Sequence, residues 1–145
     1  MNIKNEFKLE FTAISENVGI ARVVAAAFAA QLDFTLNTLE EIKVAISEAV
    51  SNAVIHGYGN TGQGTVYMTL RLIETAVEIT VADEGCGIAD IEQARQPAFS
   101  SDPERMGLGF VFMESFMDQL EVCSEVGKGT RVRMLKCFDS DQLSQ

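Results

Sequence analysis

The stretch Ser47-Glu48-Ala49-Val50-Ser51-Asn52-Ala53-Val54-Ile55-His56-Gly57-Tyr58 decides how the rest of the sequence is read. It closes a segment in which Leu39, Ile42, Ala45, Ile46, Ala49, Ala53 and Val54 recur at three- and four-residue steps. That is the period of a helix with one buried side. Thr38-x-x-Glu41 reads as a capping box that opens this helix, and Gly57 as the residue that stops it. Across from the apolar side runs a polar row, with Glu48, Asn52 and His56 at i, i+4 and i+8. Each four-residue step turns only about 40° around the axis, so the three form one stripe. The plainest reading of such a stripe is a solvated face. Asn is the odd member, because in mid-helix its side chain competes for backbone hydrogen bonds. An amide oxygen held there suits a hard cation.

Toward the N-terminus, Ser15 caps a predicted helix from about Glu16 to Leu32, with Ala21, Val24, Ala25, Phe28 and Leu32 as its apolar stripe. Before it, the alternation in Lys8–Phe11 predicts a short strand. Toward the C-terminus, Thr65–Ile73 and Ala76–Ala82 are β-branched runs that read as a hairpin around Glu74-Thr75. An irregular stretch from Gln96 to Arg105 leads to a short helix over Gly107–Met117. A second hairpin, Leu120–Glu125 with Thr130–Leu135, turns at Gly127-Lys128-Gly129. The order β-α-α-β-β-(α)-α-β-β predicts an α+β fold. It would be a two-layer sandwich whose mixed, mostly antiparallel sheet carries its helices on one face.

The 145 residues fit a single domain spanning 1–145, with a core at about 7–136 and a flexible tail at 137–145. At 47% hydrophobic and 22% charged residues the composition is globular rather than disordered. The net charge of −10 argues against nucleic acid as a direct partner, since phosphate binding needs an electropositive face. Cys86, Cys123 and Cys137 have no metal-site or disulfide spacing. The N-terminus lacks an apolar signal region, and the longest apolar run, Val23–Ala30, is too short to span a bilayer. A reduced cytoplasmic protein, away from the membrane, is expected.

Two further motifs could carry chemistry. Asp83-Glu84-Gly85-Cys86-Gly87-Ile88 follows a strand directly. It is either an acidic turn or a place where backbone approaches a ligand closely and Asp83 accepts from an exocyclic amine. Arg105-Met106-Gly107-Leu108-Gly109-Phe110 joins a loop to a helix start, where free amides and the helix dipole favour anions. It lacks the Lys-Ser/Thr of a P-loop. After position 57 every glycine belongs to a Gly-x-Gly pair: 57/59, 62/64, 85/87, 107/109 and 127/129. The pairs 62/64 and 127/129 lie beside strand starts and read as turns.

Taken in order, these motifs resemble the Bergerat ATP-binding fold of gyrase B, Hsp90, histidine kinases and MutL. The residue 47–58 string, Asp83–Ile88, Ala94-Arg95-Gln96-Pro97 and Gly107-Leu108-Gly109-Phe110 resemble the anti-sigma F factor family of spore-forming bacteria, over roughly Phe7 to Leu135. The resemblance implies an ATP-dependent protein-serine kinase that also holds a sporulation sigma factor inactive and phosphorylates its anti-anti-sigma antagonist. It implies Glu48 as general base and Asn52 as ligand to Mg²⁺ on the phosphates of ATP or ADP. It implies Asp83 and Thr130 at adenine, and Gly85 and Gly87 in close approach to the nucleotide. Residues Ala98–Gly107 would form a lid with Arg105 near the γ-phosphate, and Gly107 and Gly109 would present amides to the phosphates. His56 is expected to be structural.

The same resemblance implies a homodimer, to which Phe7–Phe11 could lend an edge strand. Glu16 and Arg22 become candidates for the partner interface, against the plain alternative of exposed charges without a role. The expected lack of a phosphoacceptor helix and of a transducer domain sets two-component and gyrase- or Hsp90-like work aside. Two alternatives stay open: a sister anti-sigma kinase of general stress, and a nucleotide-gated binding module with little kinase activity.

Overall fold

In the computed structural model, which describes residues 2–96 and 106–138, five strands form one sheet in the order β1-β2-β3-β5-β4. They are β1 (Ile3–Thr12), β2 (Thr65–Ile73), β3 (Ala76–Asp83), β4 (Gln119–Glu125) and β5 (Gly129–Cys137). Alternation sets their faces. Val66, Met68 and Leu70 of β2, Val77, Ile79 and Val81 of β3, and Val132 and Met134 of β5 are all buried toward the helices. The helical layer is α1 (Glu16–Ala29), α2 (Leu36–Asn52), the single turn α3 (Ile91–Ala94) and α4 (Met106–Phe116). Ile42 and Ile46 of α2 and Phe110 and Met113 of α4 are fully enclosed. Burying a side chain of this size contributes about 1.5–3 kcal/mol. The other face of the sheet carries charge: Arg71 Nε meets Glu6 Oε2 at 2.6 Å, and Arg133 Nε meets Glu78 Oε2 at 2.7 Å.

The α+β sandwich with helices on one side is as expected. Several details differ. Every described strand pair is antiparallel, so the sheet is not mixed. The path from β3 through α3 and α4 enters β4 at the sheet edge, and β5 then returns between β4 and β3. β1 runs from Ile3 rather than Lys8, with a register shift between Ile3 and Asn5. Ser15 does not cap α1: its backbone is already helical and its Oγ turns to Glu16 Oε1. α1 gives way at Ala29 to tighter turns, with Leu32 N donating to Ala29 O. α2 begins one turn before Thr38. Buried Phe34 anchors the entering chain, and Thr35 Oγ1 accepts from Thr38 N at 3.1 Å.

The end of α2 departs from regular geometry. After Asn52 the helix widens into one π-turn, Ala53–Gly57, in which Tyr58 N donates to Ala53 O. The widened turn pushes the Gly57 carbonyl outward, where Cys86 N donates to it at 2.9 Å. Tyr58 completes the junction: its hydroxyl donates to Thr65 O and accepts from Glu84 N. The C-terminal half of α2 is thereby fixed against the loop that leaves β3.

Candidate functional site

Between α2, the end of β3, the start of β5 and α4 lies a crevice lined by Asn52, His56, Asp83, Gly87, Phe110 and Thr130, among others. The strand register builds its inner end, because Asp83 closes β3 directly opposite Thr130, near the start of β5. Asp83 is only 8% exposed, and its Oδ1 accepts from Gly85 N at 2.9 Å. Burial pushes its pKa above the ordinary 3.8, while the Gly85 and Thr130 amides hold it back. A buried acceptor at the head of a mostly apolar slot suits a flat ring bearing an amino group.

Stability should report this burial. The folded protein holds the Asp83 proton more tightly than the unfolded chain does, so Asp83 weakens the fold as pH rises through its folded-state pKa. Asp83→Asn keeps an oxygen for Gly85 N but cannot carry the charge. Without nucleotide, the fall in stability that Asp83 causes in the wild type as pH rises from about pH 4 toward about pH 7 is expected to be missing from that variant, whose NH2 group meets the Thr130 amide at every pH. Thermal melts across that range check it.

At the outer end, Glu48 and Asn52 sit side by side under α4. A Cβ on Gly109 would stand 3.0 Å from Glu48 Oε2 and 3.5 Å from Asn52 Nδ2, so α4 packs closely over both side chains at this glycine. Asn52 Nδ2 is buried and has no hydrogen-bond partner among the described residues. The stripe is therefore no solvated face: Glu48, Asn52 and His56 are all partly buried. His56 lines the crevice, and its carbonyl accepts from Cys86 Sγ.

The glycines expected at the site hold close approaches. A Cβ at Gly85 would collide with the Gly57 carbonyl, one at Gly87 with Glu125 O, and one at Gly107 with Gln96 O. Arg105 and the lid up to that residue lie outside the described residues, as do Pro97 and the tail beyond Phe138. Arg22 and Glu16 are exposed on α1, away from the crevice. Arg22 Nη1 donates to Ser47 Oγ at 3.4 Å and shares a surface groove with Glu48, so one wall of the groove is the candidate base. Glu16 does not line that groove.

Two residues at the site escaped the sequence reading. Phe110 walls the slot from α4. Ser124 ties Ile88, Gly129 and Thr130 together. Ser124 had a readable signal: Leu120, Val122 and Ser124 alternate along β4, so a hydroxyl occupies an inward position.

Mg²⁺ fits this outer end in donor chemistry. Glu48 and Asn52 offer hard oxygens, the donor type Mg²⁺ takes, whereas the unpartnered Asn52 Nδ2 is a proton donor and suits a phosphate oxygen rather than the ion. Among the described residues no group of three or more His, Cys, Asp or Glu could hold a metal alone. An ion there would draw most of its ligands from phosphate and water, as Mg²⁺ commonly does.

Residues 11–136 match the histidine kinase-like ATPase domain family. The anti-sigma F factor of Bacillus licheniformis is 51% identical over 136 residues, covering 92% of this chain and 93% of its own length. The chain belongs to the anti-sigma F factor family. Within this family, the counterpart in Geobacillus stearothermophilus is 51% identical over 142 residues and covers 97% of both chains. More distant likeness confirms the fold alone. The RsbU and RsbW domains of a Mycobacterium tuberculosis protein superpose with a TM-score of 0.67 at 19% identity, over 92% of this chain and 32% of that one. The catalytic domain of the histidine kinase ThkA gives 0.57 at 17% identity, over 94% and 96%. An ATP/ADP-binding domain in an anti-sigma, kinase-type family follows from these matches. No helix among the described residues is long and apolar enough to cross a membrane.

Proposed function

We propose that this member of the anti-sigma F factor family binds and inhibits a sporulation sigma factor and transfers the γ-phosphoryl group of ATP to a serine of its anti-anti-sigma antagonist. The observation that carries the reading is the pairing of Glu48 with Asn52 beneath Gly109, with Asn52 lining the crevice headed by Asp83 and Thr130 and Glu48 bordering the groove next to it. Asp83 would accept from the adenine amino group, with Thr130 beside it. Phe110 and Val81 would enclose the ring. The amides at the start of α4, with Gly107 and Gly109, would face the phosphates. Arg105 is proposed at the γ-phosphate.

Transfer then needs little covalent chemistry from the protein. The serine oxygen forms a bond to phosphorus as the bond from phosphorus to the ADP oxygen breaks, and Glu48 takes the serine proton. Asn52 would hold Mg²⁺ through its amide oxygen. When bound, the ion neutralises charge across the phosphates. Glu48 also faces the groove containing Arg22, which gives a docked protein a route to the base. Arg22 and Glu16, both exposed on α1, are the proposed partner contacts. A cytoplasmic homodimer using the β1 edge completes the reading, since among the described residues β1 pairs only with β2.

The test is incubation of the protein with γ-labelled ATP, Mg²⁺ and the small antagonist encoded by the same organism. Label on an antagonist serine, together with nucleotide-dependent capture of one sigma factor, is the expected result. Nucleotide binding without transfer under any partner condition would reduce the protein to a nucleotide-gated binding module.

A further inference from the structure

Ser124 does not line the crevice, yet its hydroxyl determines what one wall offers. Its Oγ accepts from Ile88 N at 2.7 Å, donates to Gly129 O at 3.0 Å, and lies 2.8 Å from Thr130 Oγ1. A serine hydroxyl has one proton and two lone pairs. The Ile88 amide can only donate and the Gly129 carbonyl can only accept. One lone pair and the proton are therefore committed. The remaining lone pair meets Thr130, whose hydroxyl must then be the donor. Thr130 spends its proton on Ser124 and is left with only lone pairs to present to the crevice.

We propose that Ser124 is a positioning residue for base specificity: by fixing the Thr130 proton it makes the Asp83 end of the crevice an acceptor-only surface that selects a 6-aminopurine over a 6-oxopurine. The inference rests on the nucleotide-site reading and deepens it. Asp83, ionised, likewise offers only lone pairs, and its Oδ1 is already held by Gly85 N. An amino group brings two protons to this pair of acceptors. A 6-oxo group would set its lone pairs against those of Asp83 and Thr130, a mismatch that hydrogen-bonding sites reject strongly. Without the Ser124 acceptor the Thr130 hydroxyl can rotate and donate into the crevice, and the discrimination weakens.

The experiment compares the dissociation constants of ATP and ITP, which carry a 6-amino and a 6-oxo purine. The wild type is expected to prefer ATP, and Ser124→Ala to narrow the ATP/ITP ratio by about tenfold, mostly by tightening ITP. In a Thr130→Val background, Ser124→Ala should change the ratio no further. With Thr130 in place, Ser124→Thr, which keeps the hydroxyl, should keep the wild-type ratio. A residue that merely braces the β4–β5 turn would weaken both nucleotides alike, so an unchanged ratio overturns the proposal. Thermal melts establish that each variant is folded. If Ser124→Ala is not, Ser124→Cys, a poor acceptor of similar size, takes its place in the same comparison. A wild-type protein that bound neither nucleotide would fail differently, removing the nucleotide site and this inference with it.

Discussion

Glu48→Ala is expected to slow phosphoryl transfer to the antagonist by about 10²–10⁴-fold, the usual worth of a positioned general base. ATP affinity should stay within about threefold of the wild type, because a base acting on the attacking hydroxyl contributes to the transition state rather than to ground-state binding. The geometry separates the two roles. Asp83, Thr130 and Asn52 line the crevice, whereas Glu48, one turn of α2 before Asn52, lies outside that lining and borders the Arg22 groove. Glu48→Gln sharpens the test: it keeps the shape beneath Gly109 and the capacity to hydrogen-bond but is no proton acceptor of comparable strength. It should lose nearly as much rate as alanine. Single-turnover transfer alongside nucleotide titration measures both quantities. Transfer by the alanine variant within a few-fold of the wild type would falsify the assignment of Glu48. A matched loss of affinity and rate would instead make it a binding residue.

The contrast between Glu48 and Ser124 shows what the sequence could and could not reveal. Glu48, Asn52 and His56 were legible as a stripe because helical period is local arithmetic. The hairpins were legible because β-branched runs met short turns. Which side of α2 the stripe faced was not legible, since burial there depends on α4, which packs over Glu48 and Asn52 at Gly109. The π-turn after Asn52 was invisible for a related reason. Its cause lies in the hold of Cys86 and Glu84 on Gly57 and Tyr58, some thirty residues away in sequence. The Thr35 cap is not singled out by the sequence, because Thr38 and Glu41 offer an equally good local motif. Only the burial of Phe34 places the start of α2 one turn earlier. The proton logic of Ser124 needs three partners from different segments, and no spacing in one chain encodes it. Arg105 remains tied to the site by family resemblance alone.

Gly85→Ala is expected to reduce nucleotide affinity by about ten- to a hundredfold, the worth of one or two hydrogen bonds lost around the head of the crevice. The added Cβ would land on the Gly57 carbonyl, which is backbone and cannot swing aside like a side chain. Relief requires the loop to lift from the π-turn, and two hydrogen bonds go with it: Cys86 N to Gly57 O, and Gly85 N to Asp83 Oδ1. The first loss loosens the junction with α2. The second removes one of the donors that hold the Asp83 carboxylate at the head of the crevice. Overpacking of this kind also destabilises the fold, by about 1–3 kcal/mol, so a lower melting temperature should accompany the weaker binding. Gly127→Ala separates these effects. That residue has φ +82°, so alanine is strained there, but its Cβ would meet nothing within 4 Å. It should lower the melting temperature through backbone strain of about 1–2 kcal/mol while leaving ADP affinity near the wild-type value. Calorimetric titration of ADP into both folded variants decides the matter. If the two lose affinity equally, nucleotide binding follows general stability, and the close contact between the Asp83–Gly87 loop and the π-turn has no specific part in it.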